Sequence, residues 1–552
     1  MNHKKITPIR RLWALLQPNR NDIKQIYAYA IFSGIISLSL PLGIQAIVNL
    51  IQGGQVSTSW IVLVILVVLG VVLTGILQVY QLRISEKIQQ EIFTRATFDF
   101  AFRLPKIKWN EMADKYAPEL VNRFFDTLTI QKGLSKILID FTAAVLQITF
   151  GLILLSFYHS IFILFSLFLL FTLVIIVQFT AQPGLRTSLQ ESKYKYKVAY
   201  WLEEVARVSQ TFKMTGNSEL PLQKADESTS KYLDSRQSHF QILIQQYGLL
   251  IFFKVLVISG LLGLGGFLVI EQSMNIGQFI AAEIIILMVI SSTDKVIQSL
   301  ETIYDVLTAL EKIGQVTDLQ LEESSGIQMS PFVNKNGINI ELKGLDFQYP
   351  NTIRKTINDF SLHIPASIKL VISGDSGSGK STLLKLISGV YAPNSGSILI
   401  NQIPQINYEI DSLRWNFGVM LQNDFLFEGT LIENITLGRP NISTEDITKA
   451  INSIGLINDL ENLPKGLETP LTPSNIHLGN NVVQKIKLAR AIVNNPAVLI
   501  LDEPLRHLNQ QEREDIANFL LAKSQKWTVI AVSNASEIQV KADKVLSLTL
   551  QN

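Results

Sequence analysis

Six apolar stretches in the first half of the chain limit its fold more than any other feature, because each approaches or exceeds the roughly 20 residues that cross about 30 Å of hydrocarbon as helix. They run from Ile26 to Ile51, Trp60 to Leu82, Phe141 to Phe157, Ile161 to Phe179, Tyr247 to Ile270 and Ile276 to Thr293. Short links, QGGQVSTS, Tyr158-His159-Ser160 and EQSMN, join them in pairs, so they read as three helical hairpins. None of these links contains Lys or Arg. The lead-in MNHKKITPIRRLWALLQPNRND and the segments Arg83 to Asp140 and Thr180 to Gln246 contain many, among them Lys106, Lys108, Arg123, Lys132, Lys193, Lys195 and Lys197. The bias of Lys and Arg toward the inner side predicts that these segments and both termini are cytoplasmic. The lead-in has no apolar core followed by a small-residue cleavage site, so it does not read as a removable signal peptide.

Composition narrows the chemistry. The net charge of +2 gives no basic balance toward nucleic acid, and with no cysteine this chain has no disulfides, thiolate metal sites or thiol nucleophiles. Both long basic segments are helix-compatible. If about 20 residues continue each span, they reach about 30 Å beyond the bilayer. Breaks at Ala117-Pro118-Glu119-Leu120 and Lys213-Met214-Thr215-Gly216-Asn217 are then either contact points for a cytoplasmic domain or ordinary turns. Within the spans Lys254 and Glu283 stand out, since ionisable groups in lipid are costly. Lys254 is expected to snorkel to an interface and Glu283 to face a cavity, with a transport pathway and a structural pair as the respective alternatives.

After a helical stretch, Asp294 to Thr317, the Ser-, Gly-, Pro- and Asn-containing LEESSGIQMSPFVNKNG reads as a linker. Beyond it, INIELKGLDFQYP alternates like a strand, SIKLVIS and AVLILDEP read as buried strands, and Ser381 to Gly389 and Gln484 to Val493 read as helices, which predicts an α/β domain. Directly after SIKLVIS comes Gly374-Asp375-Ser376-Gly377-Ser378-Gly379-Lys380-Ser381, followed by Thr382, and this matches the phosphate-cradling P-loop between strand and helix. Its glycines let backbone N–H groups curl around phosphate, and the helix N-terminus adds a positive dipole end. Lys380 is expected on the outer phosphates of ATP, and Ser381 on Mg²⁺. The apolar run Val498 to Leu501 ends in Asp502 and Glu503, read as the metal-side carboxylate and as the base or water-orienting group.

These motifs carry a resemblance. The second half resembles the nucleotide-binding domain of ABC transporters, and the first half the six-helix membrane domain of ABC exporters. Pro118 to Gln131, PELVNRFFDTLTIQ, is similar to the first cytoplasmic loop of exporters associated with peptide and protein secretion. The resemblance implies that Tyr349 stacks on adenine and that Gln422, in VMLQNDFLFEGTLIENITLG, senses Mg²⁺ and the membrane domain. It also exposes departures. Leu478-Gly479-Asn480-Asn481-Val482 stands where the family has Leu-Ser-Gly-Gly-Gln, Asn509 where an aspartate couples the two sites, and Asn534 where a histidine switches. Asn534 donates a hydrogen bond but lacks imidazole's charge states.

The expected organisation is a transmembrane exporter domain over 1–318, a linker over 319–337 and an ATP-binding domain over 338–552. The expected function is that of a half-transporter in a bacterial inner membrane, surrounded by lipid and dimerising with itself or with a second half. It would export a peptide, protein or hydrophobic substrate at the expense of ATP, with hydrolysis impaired. The alternative is an ATP-binding, weakly hydrolysing regulatory or scaffolding subunit beside an intact partner.

Overall fold

The computed structural model describes residues 7–52, 58–112, 115–330, 337–461, 463, 465–472 and 478–549. Parts of the predicted lead-in, of the first hairpin link (53–57) and of the linker (331–336) lie outside them. The chain forms two compact units, Met1–Pro105 with Lys115–Leu319, and Lys106–Asp114 with Gln320–Asn552.

The first unit is helical, and among the described residues six of its helices are long and apolar enough to cross a membrane. Several far outrun the bilayer. Thr58–Arg103, Ser160–Arg207, Leu220–Gly260 and Ile276–Thr317 are 46, 48, 41 and 42 residues long. At 1.5 Å per residue each exceeds about 60 Å, twice the hydrocarbon thickness. The first span is instead broken at Leu38, between Arg20–Ser37 and Ser39–Gln52, just before Pro41. Ile276–Thr317 starts from a reciprocal cap, with Asn275 Oδ1 accepting from Gln278 N–H at 2.7 Å. Ala117–Leu120 proves to be the opening of a helical turn, Ala117–Asn122, with proline in its first turn where a missing N–H costs nothing. Lys213–Asn217 is a true break, with Gly216 at φ +73°.

Polar groups inside the bundle are paired, as a low-dielectric interior requires. Gln246 Nε2 donates to the Tyr304 hydroxyl at 2.8 Å, and that hydroxyl donates to the Thr180 carbonyl at 3.3 Å. The Tyr304 ring approaches the helix closely at Gly184, which has no Cβ to hold it off. The Lys254 ammonium lies 2.6 Å from Asp294 on the neighbouring helix Ile276–Thr317. Glu283 is exposed on the surface of the unit.

In the second unit β1 (Ile340–Phe347), β2 (Ile357–Ile364), β4 (Ser395–Ile400) and β5 (Ile403–Pro404) form an antiparallel sheet in the order β2-β1-β4-β5. A parallel sheet is ordered β11-β3-β10-β9-β6, from β3 (Lys369–Gly374), β6 (Phe417–Met420), β9 (Val498–Asp502), β10 (Thr528–Val532) and β11 (Lys544–Leu548), and β7 (Gly429–Thr430) and β8 (Pro470–Leu471) pair separately. Every residue of β9 and β10 is buried, so both sheet faces are covered. Leu499 and Leu501 join the core with Ile486 and Leu488 of the helix Asn480–Ile492, while Val498 and Ile500 join Leu383 and Leu384 of the helix Lys380–Ile387. The segment 106–114, assigned by sequence to the helical domain, belongs to this unit. Ile107 bridges Leu321, and Lys108 N–H donates to the Gln320 carbonyl at 2.9 Å.

A Cβ on Gly184 would sit 2.5 Å from the Tyr304 ring, whereas one on Gly75 would meet nothing within 4 Å. Gly184→Ala is therefore expected to cost about 1–3 kcal/mol through overpacking. Gly75→Ala should gain up to about 1 kcal/mol of helix propensity. Thermal unfolding of the detergent-solubilised protein should show midpoints moving in opposite directions.

Candidate nucleotide site

The parallel register decides where the chemistry collects. Val532 of β10 pairs with Ile372 of β3 on one side and with Asp502 of β9 on the other, so three strands end at one level. Their continuations are the glycine loop from β3, Glu503 from β9 and Ser533-Asn534 from β10. Ligands of open α/β sheets settle at this carboxyl edge.

Gly374, Gly377 and Gly379 have φ of +126°, +84° and +92°, in the left-handed region that glycine enters without strain. A Cβ on Gly379 would also meet Ile357 Cδ1 at 2.8 Å and the Thr356 carbonyl at 3.0 Å. Asp375 and Ser376 lie at the exposed crown of the loop, and Ser378 Oγ is buried without a partner. Lys380 folds back so that Nζ donates to the carbonyls of Gly374 and Asp375 at 2.8 and 2.5 Å. A cavity of about 300 Å³ adjoins Gly377 and Ser378 and is walled by Thr352, Arg354 and Lys355. An orphaned hydroxyl, a cradle that Cβ atoms would fill and nearby cations all suit a polyphosphate.

The two carboxylates stand beside this loop. Ser381 and the Gln422 backbone face the Asp502 carboxyl. Burial pushes that carboxyl up, against the opposing effect of Ser381 and the charges of Lys385 and Lys380. Burial, and then the charge of Asp502, pushes Glu503 up as well. Glu503 has φ +50°, and its N–H donates to the Val532 carbonyl at 2.8 Å. A second cavity, about 120 Å³, brings Gln422, Asp502 and Glu503 together with Asn480, Lys487 and Arg506. Among the described residues no group of three or more His, Asp or Glu could hold a metal. The set Ser381, Gln422 and Asp502 fits Mg²⁺, which takes few protein oxygens and completes its shell with phosphate and water.

Asn534 reaches the loop, its Oδ1 accepting the Gly374 N–H at 3.2 Å. The Tyr349 hydroxyl is 2.9 Å from that of Thr382, which ties the aromatic residue to the helix after the loop. Asn509 caps the helix Gln510–Leu520 through Glu512 N–H at 2.9 Å. Gly479 precedes the helix Asn480–Ile492, and a Cβ there would meet Asn481 Oδ1 at 2.5 Å. The smaller residue at 479 and the larger one at 481 accommodate each other.

Other residues of the site escaped the sequence reading. Gln484 Nε2 donates to the Glu503 and Pro504 carbonyls, both at 3.0 Å, and so holds the turn after β9. Arg490 lies buried beneath the segment after Gln422, bonded to Asp424 at 2.6 Å, the Phe425 carbonyl at 3.1 Å and the Asn434 carbonyl at 2.7 Å. Only a buried arginine near the end of an amphipathic helix hinted at this.

The comparisons agree with this architecture. A family model described as ABC transporter matches residues 357–506, and one described as ABC transporter transmembrane region matches 26–293. The alpha-hemolysin translocation ATP-binding protein HlyB of Escherichia coli O157:H7 is 30% identical over 293 residues, 53% of this chain and 41% of that protein. The mesentericin-Y105 transport/processing ATP-binding protein MesD of Leuconostoc mesenteroides is 25% identical over 438 residues, 79% of this chain and 60% of that protein. The matches thus span less than two thirds of these curated relatives. A solved structure of a bacterial Atm1-family ABC exporter with ATP bound superimposes with a TM-score of 0.80 at 19% identity, covering 97% of this chain and 94% of that one. It shares the fold.

Arg490→Ala would strand the half-buried Asp424 carboxylate and two carbonyls. A loss of about 3–5 kcal/mol is expected in denaturant unfolding, and Arg490→Lys should recover only part of it because a single ammonium cannot reproduce the fork.

Proposed function

The chain belongs to the ABC transporter family as an exporter-type half-transporter, and from that premise we propose that it pairs with a second half and exports a peptide, protein or hydrophobic substrate, powered by Mg²⁺-ATP. The carrying observation is the convergence of Lys380, Ser381, Asp502 and Glu503 at one sheet edge, with Ser381 facing the Asp502 carboxyl. Lys380 then binds the outer phosphates, and Ser381 and Asp502 hold the metal with help from Gln422. Glu503 orients or deprotonates the attacking water, a role that its raised proton affinity favours. Tyr349 carries the adenine. Asn534 holds the loop but takes no proton, and the Gly-Asn-Asn turn offers its partner no serine, so hydrolysis is slow. In this reading the protein lies in a bacterial inner membrane, with the nucleotide unit and both termini in the cytoplasm.

A second reading is favoured by Gly479 and Asn481 specifically: an ATP-binding, weakly hydrolysing regulatory or scaffolding subunit paired with an intact ABC neighbour, whose own carboxylates carry the turnover. Turnover that rises sharply on co-reconstitution with such a neighbour and survives Glu503→Gln would select it.

Four variants test the scheme. Lys380→Ala should weaken ATP binding about 10- to 100-fold, the worth of a hydrogen bond to a charged group, measured by displacement of a fluorescent nucleotide. Glu503→Gln should leave binding intact and lower Mg²⁺-dependent turnover by at least about a hundredfold. Replacing Gly479-Asn480-Asn481 by Ser-Gly-Gly should raise turnover at least about tenfold if the missing donor limits it. Gly479→Ser alone, which meets Asn481, should not.

A further inference from the structure

The helical turn Trp109–Met112 belongs to the nucleotide unit and is fastened there by several independent contacts. Besides the Ile107–Leu321 bridge, Glu322 N–H donates to the Lys106 carbonyl at 2.7 Å, and Glu322 is gripped by both Arg414 nitrogens at 2.6 and 2.9 Å. The Trp109 indole faces the Tyr391 hydroxyl. Tyr391 in turn stands edge-on to Tyr349, with ring centroids 5.4 Å apart at 90°. The turn is thereby tied to the aromatic group assigned to adenine.

Next to Trp109, Asn110 forms part of the wall of a cavity of about 290 Å³ that also borders Tyr349, Pro350, Thr352 and Asn394. A purine base is smaller than this space. The neighbouring carboxamides are engaged: Asn394 Oδ1 accepts the Gln348 N–H at 2.7 Å, and Gln348 Nε2 donates to the Thr352 carbonyl. The Asn110 carboxamide makes no hydrogen bond with any described residue. Thr352 also borders the cavity beside Gly377 and Ser378, so the two spaces adjoin along one loop.

We propose that Asn110 reads the edge of the purine base and gives the site its preference for adenine over guanine. The inference rests on the reading of Tyr349 and the glycine loop as an ATP site. A carboxamide presents an acceptor and a donor side by side, matching the N6 amine and N7 of adenine as a pair. Guanine offers two acceptors there, O6 and N7, so the carboxamide oxygen would face an acceptor. Asn110 is a specificity residue in this scheme and takes no part in the chemistry.

The test is displacement of a fluorescent ATP analogue from the purified full-length protein by ATP, GTP and 7-deaza-ATP. The wild type should bind ATP about tenfold more tightly than either competitor. Asn110→Ala should weaken ATP to the level of 7-deaza-ATP and collapse the ATP/GTP ratio toward unity, with little change in GTP affinity. Asn110→Asp, which keeps an acceptor for the N6 amine and loses the donor to N7, should bind ATP and 7-deaza-ATP alike while still discriminating against GTP. A wild type that binds all three nucleotides equally overturns the assignment without any variant, and so does an Asn110→Ala protein that keeps the wild-type ratios. No saturable nucleotide binding, with Lys380→Ala identical to wild type, removes the ATP site itself and this inference with it. Saturable binding without base discrimination removes the inference alone.

Discussion

Complete burial of the central parallel strands is the constraint from which the nucleotide unit follows. β9 and β10 present no face to solvent, and their residues alternate between two cores on opposite sides of the sheet. Such strands cannot carry polar chemistry along their length without stranding it in an apolar interior. The polar residues therefore appear where the strands run out, at Asp502, Glu503, Ser533 and Asn534. The glycine loop leaves β3 at the same level. Register does the rest: a slip of one residue between β9 and β10 would move Asp502 away from Ser381 and turn the apolar set over.

The membrane unit answers a different solvent with the same rule. Backbone groups in lipid are satisfied only within helices or closed barrels, so the spans are helical, the first of them turning at Leu38 between two helices. Side chains that cannot be apolar find each other, as Tyr304, Gln246 and Thr180 do, and as Lys254 does with Asp294.

What the sequence made legible is what depends on neighbours along the chain. Apolar run length disclosed the spans, and the spacing of Gly374, Gly379, Lys380 and Ser381 disclosed the loop, because a strand, a turn and a helix start are local decisions. The partner of Lys254 was hidden, since helix rotation decides it and the run Tyr247 to Ile270 gives no clue to that angle. Gln484 was hidden for a similar reason: its contact is to the backbone of Glu503 and Pro504, and any side chain could stand above those carbonyls. The placement of 106–112 was hidden because its attachment is a bridge of a few residues to 320–322, too short to leave an alternating pattern. Asn509 shows a residue read through resemblance as a lost aspartate, while its own local chemistry is that of a helix cap.

The Lys254–Asp294 pair has a consequence for how the chain is made. Its members are 40 residues apart in sequence, so the ammonium leaves the ribosome 40 residues ahead of its carboxylate. At about 5–20 residues per second the interval is roughly 2–8 s. For that time the segment from Tyr247 to Ile270 carries an unneutralised charge, which costs up to about 2.5–3.5 kcal/mol on an insertion scale, the value for a helix centre. The insertion machinery must therefore hold this helix in a hydrated vestibule, or release it to lipid only together with its successor. The third hairpin would then enter the bilayer as a pair of helices, not one at a time.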